Sequence, residues 1–157
     1  MGEPDRLPHF GDIKLARRLS SGGLFAVFEG YHETLHRNVA VKFIPRQFAQ
    51  RNPKFVNRFR SEAQLAARLT HPAIIRTYYT GEAAGNHFVV MDLASGQTLD
   101  ALVKEKGPQP PAFAVRVGTA VAGALYYALS TYDIMHRDIN PGPVSYTHLT
   151  LPTKRIV

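Results

Sequence analysis

Five segments of the chain are apolar, or alternate between apolar and polar positions, over lengths typical of β-strands. The third of them is apolar from Val39 onward apart from one lysine, Lys42. The serine and glycine stretch Ser20–Gly23 separates the first two and is typical of a turn, so these two strands are expected to pair as a hairpin. The predicted strands are residues 12–19, 24–31, 38–44, 73–80 and 87–93.

Helical spacing of apolar residues begins after the third strand. Asn52 is placed to cap a helix, Pro53 suits its first turn, and apolar positions from Phe55 onward recur three and four residues apart. Two more helices are predicted at residues 98–106 and 112–132, and the second is apolar on most sides, as buried helices are. Because strands come first and helices follow, this order predicts an α+β fold rather than a doubly wound sheet.

Composition narrows the possible classes. The chain has 157 residues, 45% of them hydrophobic, which favours one domain with a buried core. It has no cysteine, which excludes disulfides and fits a reducing compartment, so a cytoplasmic location is expected. The net charge is +7, but the basic residues are spread out, so a solvated basic surface is favoured over nucleic-acid binding. We expect no membrane segment, because no apolar run approaches about 20 residues.

Four features in order carry candidate chemistry. The Ser20–Gly23 turn would let backbone N–H groups approach phosphate oxygens closely. Lys42 supplies a fixed positive charge, and a lysine within an apolar run needs a counter-ion, for which Glu62 is the candidate. Asp138, in the sequence "HRD" after the long helix, can accept the proton of an incoming hydroxyl. Such a set suits phosphoryl transfer, which depends on positioning and electrostatic stabilisation.

These features, with "VAVK", "LTHPAI" and "VVMDLASGQTL" between them, resemble the protein kinase family over about residues 10–142. The resemblance implies a five-stranded antiparallel sheet with one helix, followed by the first helices of a second, helical lobe. It also implies ATP and Mg²⁺ as cofactors and a protein hydroxyl as substrate. Lys42 would contact the α- and β-phosphates and pair with Glu62, and Asp138 would be the catalytic base.

The resemblance also places residues around the nucleotide. They are Leu19, Ser20, Gly22, Gly23, Val27, Ala40, Lys42, Met91, Asp92 and Ala94. Among them, Met91 would guard the back of the adenine pocket, and residues 92–94 would form a hinge whose backbone bonds adenine. The pair Asn140–Pro141 is similar to the serine/threonine form of the catalytic loop.

Several positions depart from the family pattern. Of the three glycines in the phosphate-binding loop only Gly22 matches squarely, and Ser20 and Phe25 occupy the other two places. The bulky Phe25 is expected either to cap the phosphates or to hinder them. Asn140 stands where serine/threonine kinases usually have lysine. Pro143 stands where the family has the asparagine that binds magnesium, so no metal ligand is expected in this chain.

Beyond Gly142 the resemblance ends. Back-translated, "VSYTHLTLPT" fits a transposase-type sequencing adapter read in frame, so residues 143–157 are expected to be a non-biological tail. The predicted organisation is then an N-terminal extension at 1–11, the sheet-containing lobe at 12–93, and a partial helical lobe at 94–142.

Taken together, these patterns predict a fragment of a bacterial-style, ATP-dependent protein serine/threonine kinase that is inactive and aggregation-prone as written. A pseudokinase, which binds ATP or a partner without catalysis, is the main alternative; Phe25 and Asn140 favour it, whereas Lys42, Glu62 and Asp138 argue against it. Two further alternatives are a small-molecule kinase of similar fold, which "HRDINP" argues against, and a basic nucleic-acid-binding domain.

Overall fold

The computed structural model describes residues 10–19, 25–94, 96–136 and 139, and confirms the α+β fold with five antiparallel strands. The strands are β1 (Ile13–Arg18), β2 (Ala26–His32), β3 (Arg37–Ile44), β4 (Thr77–Ala83) and β5 (Asn86–Asp92). The helices are α1 (Arg46–Arg51), α2 (Pro53–Ala67), α3 (Leu99–Lys106) and α4 (Pro111–Tyr132).

The sheet has the strand order β1-β2-β3-β5-β4, so β3 lies at its centre. Because successive side chains of a strand point to opposite faces, β3 serves two surfaces. Val39, Val41 and Phe43 point into the main core, where all three are buried. That core is formed by nine buried residues: Phe10, Ile13, Ala26, Phe28, Val39, Val41, Phe43, Phe88 and Val90.

Helices α1 and α2 cover part of the other face of the sheet. Ile44 of β3 and Val89 of β5 pack there against the apolar stripe of α2, which consists of Val56, Phe59 and Ala63. The stripe follows from the helical spacing in the sequence, and Pro53 begins the helix as predicted. This packing fixes α2 beside the even-numbered side chains of β3.

Three details differ from the sequence-based prediction. Helix α1 was not expected. Asn52 lies at the N-cap position, but its side chain makes no cap hydrogen bond and instead donates to the Phe48 carbonyl over 3.1 Å. Strand β4 begins four residues later than predicted, because Ala73 and Ile74 belong to a turn in which their N–H groups donate to Nδ1 and the carbonyl oxygen of His71, respectively. A buried turn and a strand give the same short apolar signal.

The chain divides into two compact units, one drawn from Met1–Arg68 and Thr77–Leu93 and the other from Leu69–Arg76 and Ala94–Val157. In the second unit, Ala73 packs against Ala124 of α4. Within the described part of the chain, α4 is the single helix long and apolar enough to cross a membrane by length and composition alone, a test that core helices of soluble proteins also pass. The sequence predicted a helix at residues 112–132 but did not single it out as a possible membrane span. The expectation that this helix is buried is wrong, because Ala124 and Ala128 are its only buried residues. The expectation of no membrane segment stays a prediction.

Candidate active site

Cross-strand pairing gathers four of the predicted nucleotide-contacting residues on one face of the sheet. Lys42 lies opposite Val27 on β2 and Val89 on β5. In the next row, Ala40 lies opposite Met91. Directly paired residues of antiparallel strands project from the same face, so Val27, Ala40, Lys42 and Met91 share a surface beside α2. Three apolar side chains therefore adjoin a single positive charge.

Lys42 is half-buried on this surface, and its ammonium lies over the aromatic ring of Phe25. The Nζ atom is 4.0 Å from the ring centroid. Partial burial lowers the pKa of the Lys42 ammonium from its ordinary value of 10.5, because burial penalises the charged form. The Glu62 carboxylate acts in the opposite direction and raises the same pKa, although by less. The structure thus brings the lysine and the carboxylate within electrostatic range.

Glu62 nevertheless has a different ion-pair partner. It lies on an exposed part of α2, and its Oε1 accepts a hydrogen bond from Nε of Arg58, one turn earlier, over 2.7 Å. Among the described residues, no ion pair joins Glu62 to Lys42. The Lys42–Glu62 ion pair that the family resemblance implies is therefore not formed in this arrangement.

The predicted hinge begins at a buried carboxylate. Asp92, the last residue of β5, accepts a hydrogen bond from the Tyr78 hydroxyl. Arg37 donates from Nη1 to that hydroxyl over 2.6 Å, and its guanidinium lies 5.4 Å from the centroid of the Tyr78 ring. Sequence reasoning missed Tyr78 and Arg37, because only the register of β3, β5 and β4 brings them to Asp92. Leu19, which is 40% exposed, is tied to β2 by a hydrogen bond from its N–H to the Val27 carbonyl.

Comparison with known proteins identifies the family of the chain that carries this surface. The protein kinase domain model matches residues 13–144. The chain belongs to the protein kinase family. This confirms the resemblance carried by the ordered motifs of the sequence. The kinase features on either side of Lys42 and Glu62 therefore lie within a recognised domain.

The kinase chain is similar to mycobacterial serine/threonine-protein kinases. It is 40% identical to PknB of Mycobacterium tuberculosis over 141 residues, which cover 87% of this chain and 22% of PknB. It is 36% identical to PknH of the same organism over 138 residues, which cover 88% of this chain and 22% of PknH. The chain thus spans about a fifth of the length of these curated relatives.

Two solved structures share the fold. The kinase domain of M. tuberculosis PknI superposes with a TM-score of 0.80 at 27% identity, over 99% of this chain and 60% of that one. The apo form of PpkA-294 gives a TM-score of 0.81 over 94% of this chain and 60% of that one, but at 21% identity it supports the fold alone.

Some predicted kinase residues lie outside the described part of the chain. They are Ser20, Gly22 and Gly23 of the phosphate-binding loop and the candidate catalytic base Asp138. Their roles, and the roles of Lys42 and Glu62 in catalysis, stay predictions. Ala94 is described but belongs to the second compact unit.

The lowered pKa of Lys42 predicts a particular pH dependence of stability. Between the folded-state pKa and the ordinary value of 10.5, the unfolded chain binds a proton at Lys42 that the folded chain lacks. The free energy of unfolding of the wild-type chain should therefore rise with pH through this window, relative to a Lys42→Met variant that has no such proton. Urea denaturation of both proteins between pH 7 and pH 10.5 measures the difference.

Lys54→Met, on the exposed side of α2, controls for the loss of one positive charge. If the difference in the free energy of unfolding between wild type and Lys42→Met stays constant across this pH range, Lys42 keeps its ordinary pKa in the folded chain. The argument that burial lowers this pKa would then be wrong.

Proposed function

We propose that this chain is the ATP-binding part of a bacterial protein serine/threonine kinase, whose intact parent acts in the cytoplasm and phosphorylates a protein hydroxyl. The observation that carries the proposal is the shared surface of Val27, Ala40, Lys42 and Met91. The apolar members suit the flat faces of adenine, and Lys42, one row farther along β3, suits the phosphates. The similarity to PknB and PknH supports the serine/threonine class.

The residues of this surface fit ATP. Ligand sites combine apolar walls with a few placed polar groups, and this surface offers three apolar side chains and one ammonium. Lys42 is half-buried and forms no ion pair with a described carboxylate, so an anionic ligand would have no carboxylate to displace from it. ATP would supply the transferable phosphoryl group, and the chain's own residues would bind and orient it.

Magnesium fits this chain poorly. Mg²⁺ binds oxygen ligands, usually carboxylates and substrate phosphates. In the parts of the chain that the structure describes, no group of three His, Asp or Glu residues could hold a metal ion. The family's metal-binding asparagine position is Pro143 here, which has no side-chain oxygen. We therefore infer that the 157-residue polypeptide transfers no phosphate by the family's metal-assisted route.

A pseudokinase role is the second candidate, and one observation favours it. The Phe25 ring covers one side of the Lys42 ammonium, with Nζ 4.0 Å from the ring centroid, so that side is closed to a phosphate oxygen. A chain that retains the fold but keeps this lysine covered would act by binding a partner rather than by catalysis. Nucleotide binding distinguishes a covered lysine from an accessible one.

A binding and transfer experiment tests the proposal. We expect the 157-residue chain to bind a fluorescent ATP analogue that unlabelled ATP displaces, and to show no Mg²⁺-dependent transfer from radiolabelled ATP to a generic protein substrate. Val27→Asp, which places a negative charge beside Lys42, should weaken binding at least about tenfold. Tyr31→Asp introduces the same charge at the far end of β2 and should leave binding unchanged.

The two parts of the proposal fail separately. Absence of displaceable binding would refute the ATP site, and equal loss in Val27→Asp and Tyr31→Asp would refute its location. Magnesium-dependent phosphorylation by the purified chain would instead refute the inactivity.

A further inference from the structure

Phe25 makes a contact that the kinase pattern does not explain. It occupies the place of the third glycine in the family's loop pattern. Its ring lies 4.0 Å from Nζ of Lys42 on β3. The same ring packs against two aromatic residues of α2, with centroids 5.5 Å from Phe55 and 5.6 Å from Phe59. One side chain therefore links the site lysine to the helix that carries Glu62.

The contact suits an ammonium that forms no ion pair with any carboxylate in the described part of the chain. The face of an aromatic ring is electron-rich and attracts an ammonium that is partly desolvated. Lys42 is half-buried, and Glu62 is paired with Arg58, so the ring is a close partner of the ammonium in this arrangement. A phosphate oxygen would attract the ammonium more strongly than the ring does, but both cannot occupy the same side of Nζ.

The ring is also held in place from the other side. Phe55 contacts Phe48 of α1 in an edge-on arrangement at 5.3 Å, so Phe25 joins an aromatic cluster that extends to α1. This cluster continues the packing of Ile44 and Val89 against α2. Displacing Phe25 from Lys42 therefore requires it to leave, or to reorient within, a packed apolar environment.

We propose that Phe25 is a positioning residue that holds Lys42 in a nucleotide-free arrangement, and that the phosphates of ATP must displace its ring to reach the lysine. This inference rests on the proposed ATP-binding function. Phe25 would then lower the affinity for ATP by holding the Lys42 ammonium. Removing the ring while keeping an apolar side chain should strengthen ATP binding.

Nuclear magnetic resonance of lysine side chains tests the contact directly. The chain has six lysines, so labelling the Cε positions with ¹³C gives few signals, and Lys42→Met identifies the one from Lys42. A methylene beside the face of a ring is shifted upfield, so we expect the Lys42 signal upfield of the others. Phe25→Leu should abolish the displacement, and Phe25→Tyr, which keeps the ring, should retain it.

Nucleotide binding then tests the competition. Saturation with ATP should move the wild-type Lys42 signal away from its ring-shifted position. Phe25→Leu should bind the fluorescent ATP analogue about fivefold more tightly than wild type, and Phe25→Tyr should match wild type. In a Lys42→Met background, Phe25→Leu should change the affinity little, because the ring would have no ammonium to compete for. Thermal denaturation of each variant checks that it is folded.

The outcomes separate this inference from the proposed function. If wild type binds ATP but the Lys42 signal is not ring-shifted, or keeps its shift at saturation, the competition does not exist. The inference is also wrong if Phe25→Leu tightens binding equally with and without Lys42, since the ring would then act by bulk alone. If no variant binds ATP, including Phe25→Leu, the proposed function fails and this inference fails with it, whatever the ring shift shows.

Discussion

Replacing Phe43 by alanine is expected to lower the free energy of unfolding by about 3–5 kcal/mol, a large part of the roughly 5–15 kcal/mol that holds a typical domain folded. Phe43 is 6% exposed, and its ring packs against Phe10 at 5.1 Å and Phe28 at 5.7 Å. Alanine would remove these contacts and leave a cavity at the centre of the main core. Urea denaturation followed by circular dichroism measures the change.

Two variants calibrate this result. Phe43→Leu keeps most of the buried volume and should cost clearly less than alanine. Tyr126→Ala removes an aromatic ring that is 74% exposed, so it should change stability by no more than about 0.5 kcal/mol. If Phe43→Ala lowers the free energy of unfolding by less than about 1 kcal/mol, the sheet does not bury this side chain as described, because removing a buried phenylalanine ring destabilises a domain by more than that.

Replacing Lys42 by methionine is expected to weaken binding of the fluorescent ATP analogue by roughly 10- to 100-fold, the equivalent of one charge-assisted hydrogen bond. Methionine keeps the length and apolar stem of the side chain, so the packing on the β2–β3–β5 surface is largely preserved. The ammonium is lost, and with it the fixed positive charge for the phosphates. Fluorescence titration at constant ionic strength measures the change.

Lys54→Met is the matched control, because it removes one lysine from an exposed position of α2 and leaves the proposed site intact. It should bind the analogue as the wild type does. Equal weakening in both variants would indicate that net charge, rather than a localised lysine, attracts the nucleotide. Unchanged binding in Lys42→Met would remove Lys42 from the site.

The sequence predicted the elements that are marked by the spacing of apolar residues and by residues that begin or end a helix or strand. Lys42 stood out because a lysine within an apolar strand is unusual, and α2 followed from Pro53 and the apolar positions after it. Local sequence could not fix which residues face one another across strands. The row that joins Val27, Lys42 and Val89, and the bond from Tyr78 to Asp92, depend on strand register and therefore appear only in three dimensions.

Other positions could not be predicted because competing interactions decide them. The sequence placed Glu62 near Lys42, but Arg58, one turn earlier on the same helix, offers a closer cation. Phe25 was recognised as bulky, and the sequence left open what it does. Its contact with Lys42 depends on Phe55 and Phe59, which lie thirty or more residues later in the chain.

Because β3 is pleated, its odd-numbered residues from 39 to 43 pack in the main core, and residues 40 and 42 lie on the candidate ligand surface. Substitutions at 40 and 42 can alter ligand preference while leaving the hydrophobic interior intact, and substitutions at 39, 41 and 43 do the reverse. A single-residue insertion or deletion within the strand would exchange the two sets at once, carrying a lysine into the main core and a phenylalanine onto the face beside α2. We therefore expect β3 to tolerate substitutions during evolution but not insertions or deletions that change its length.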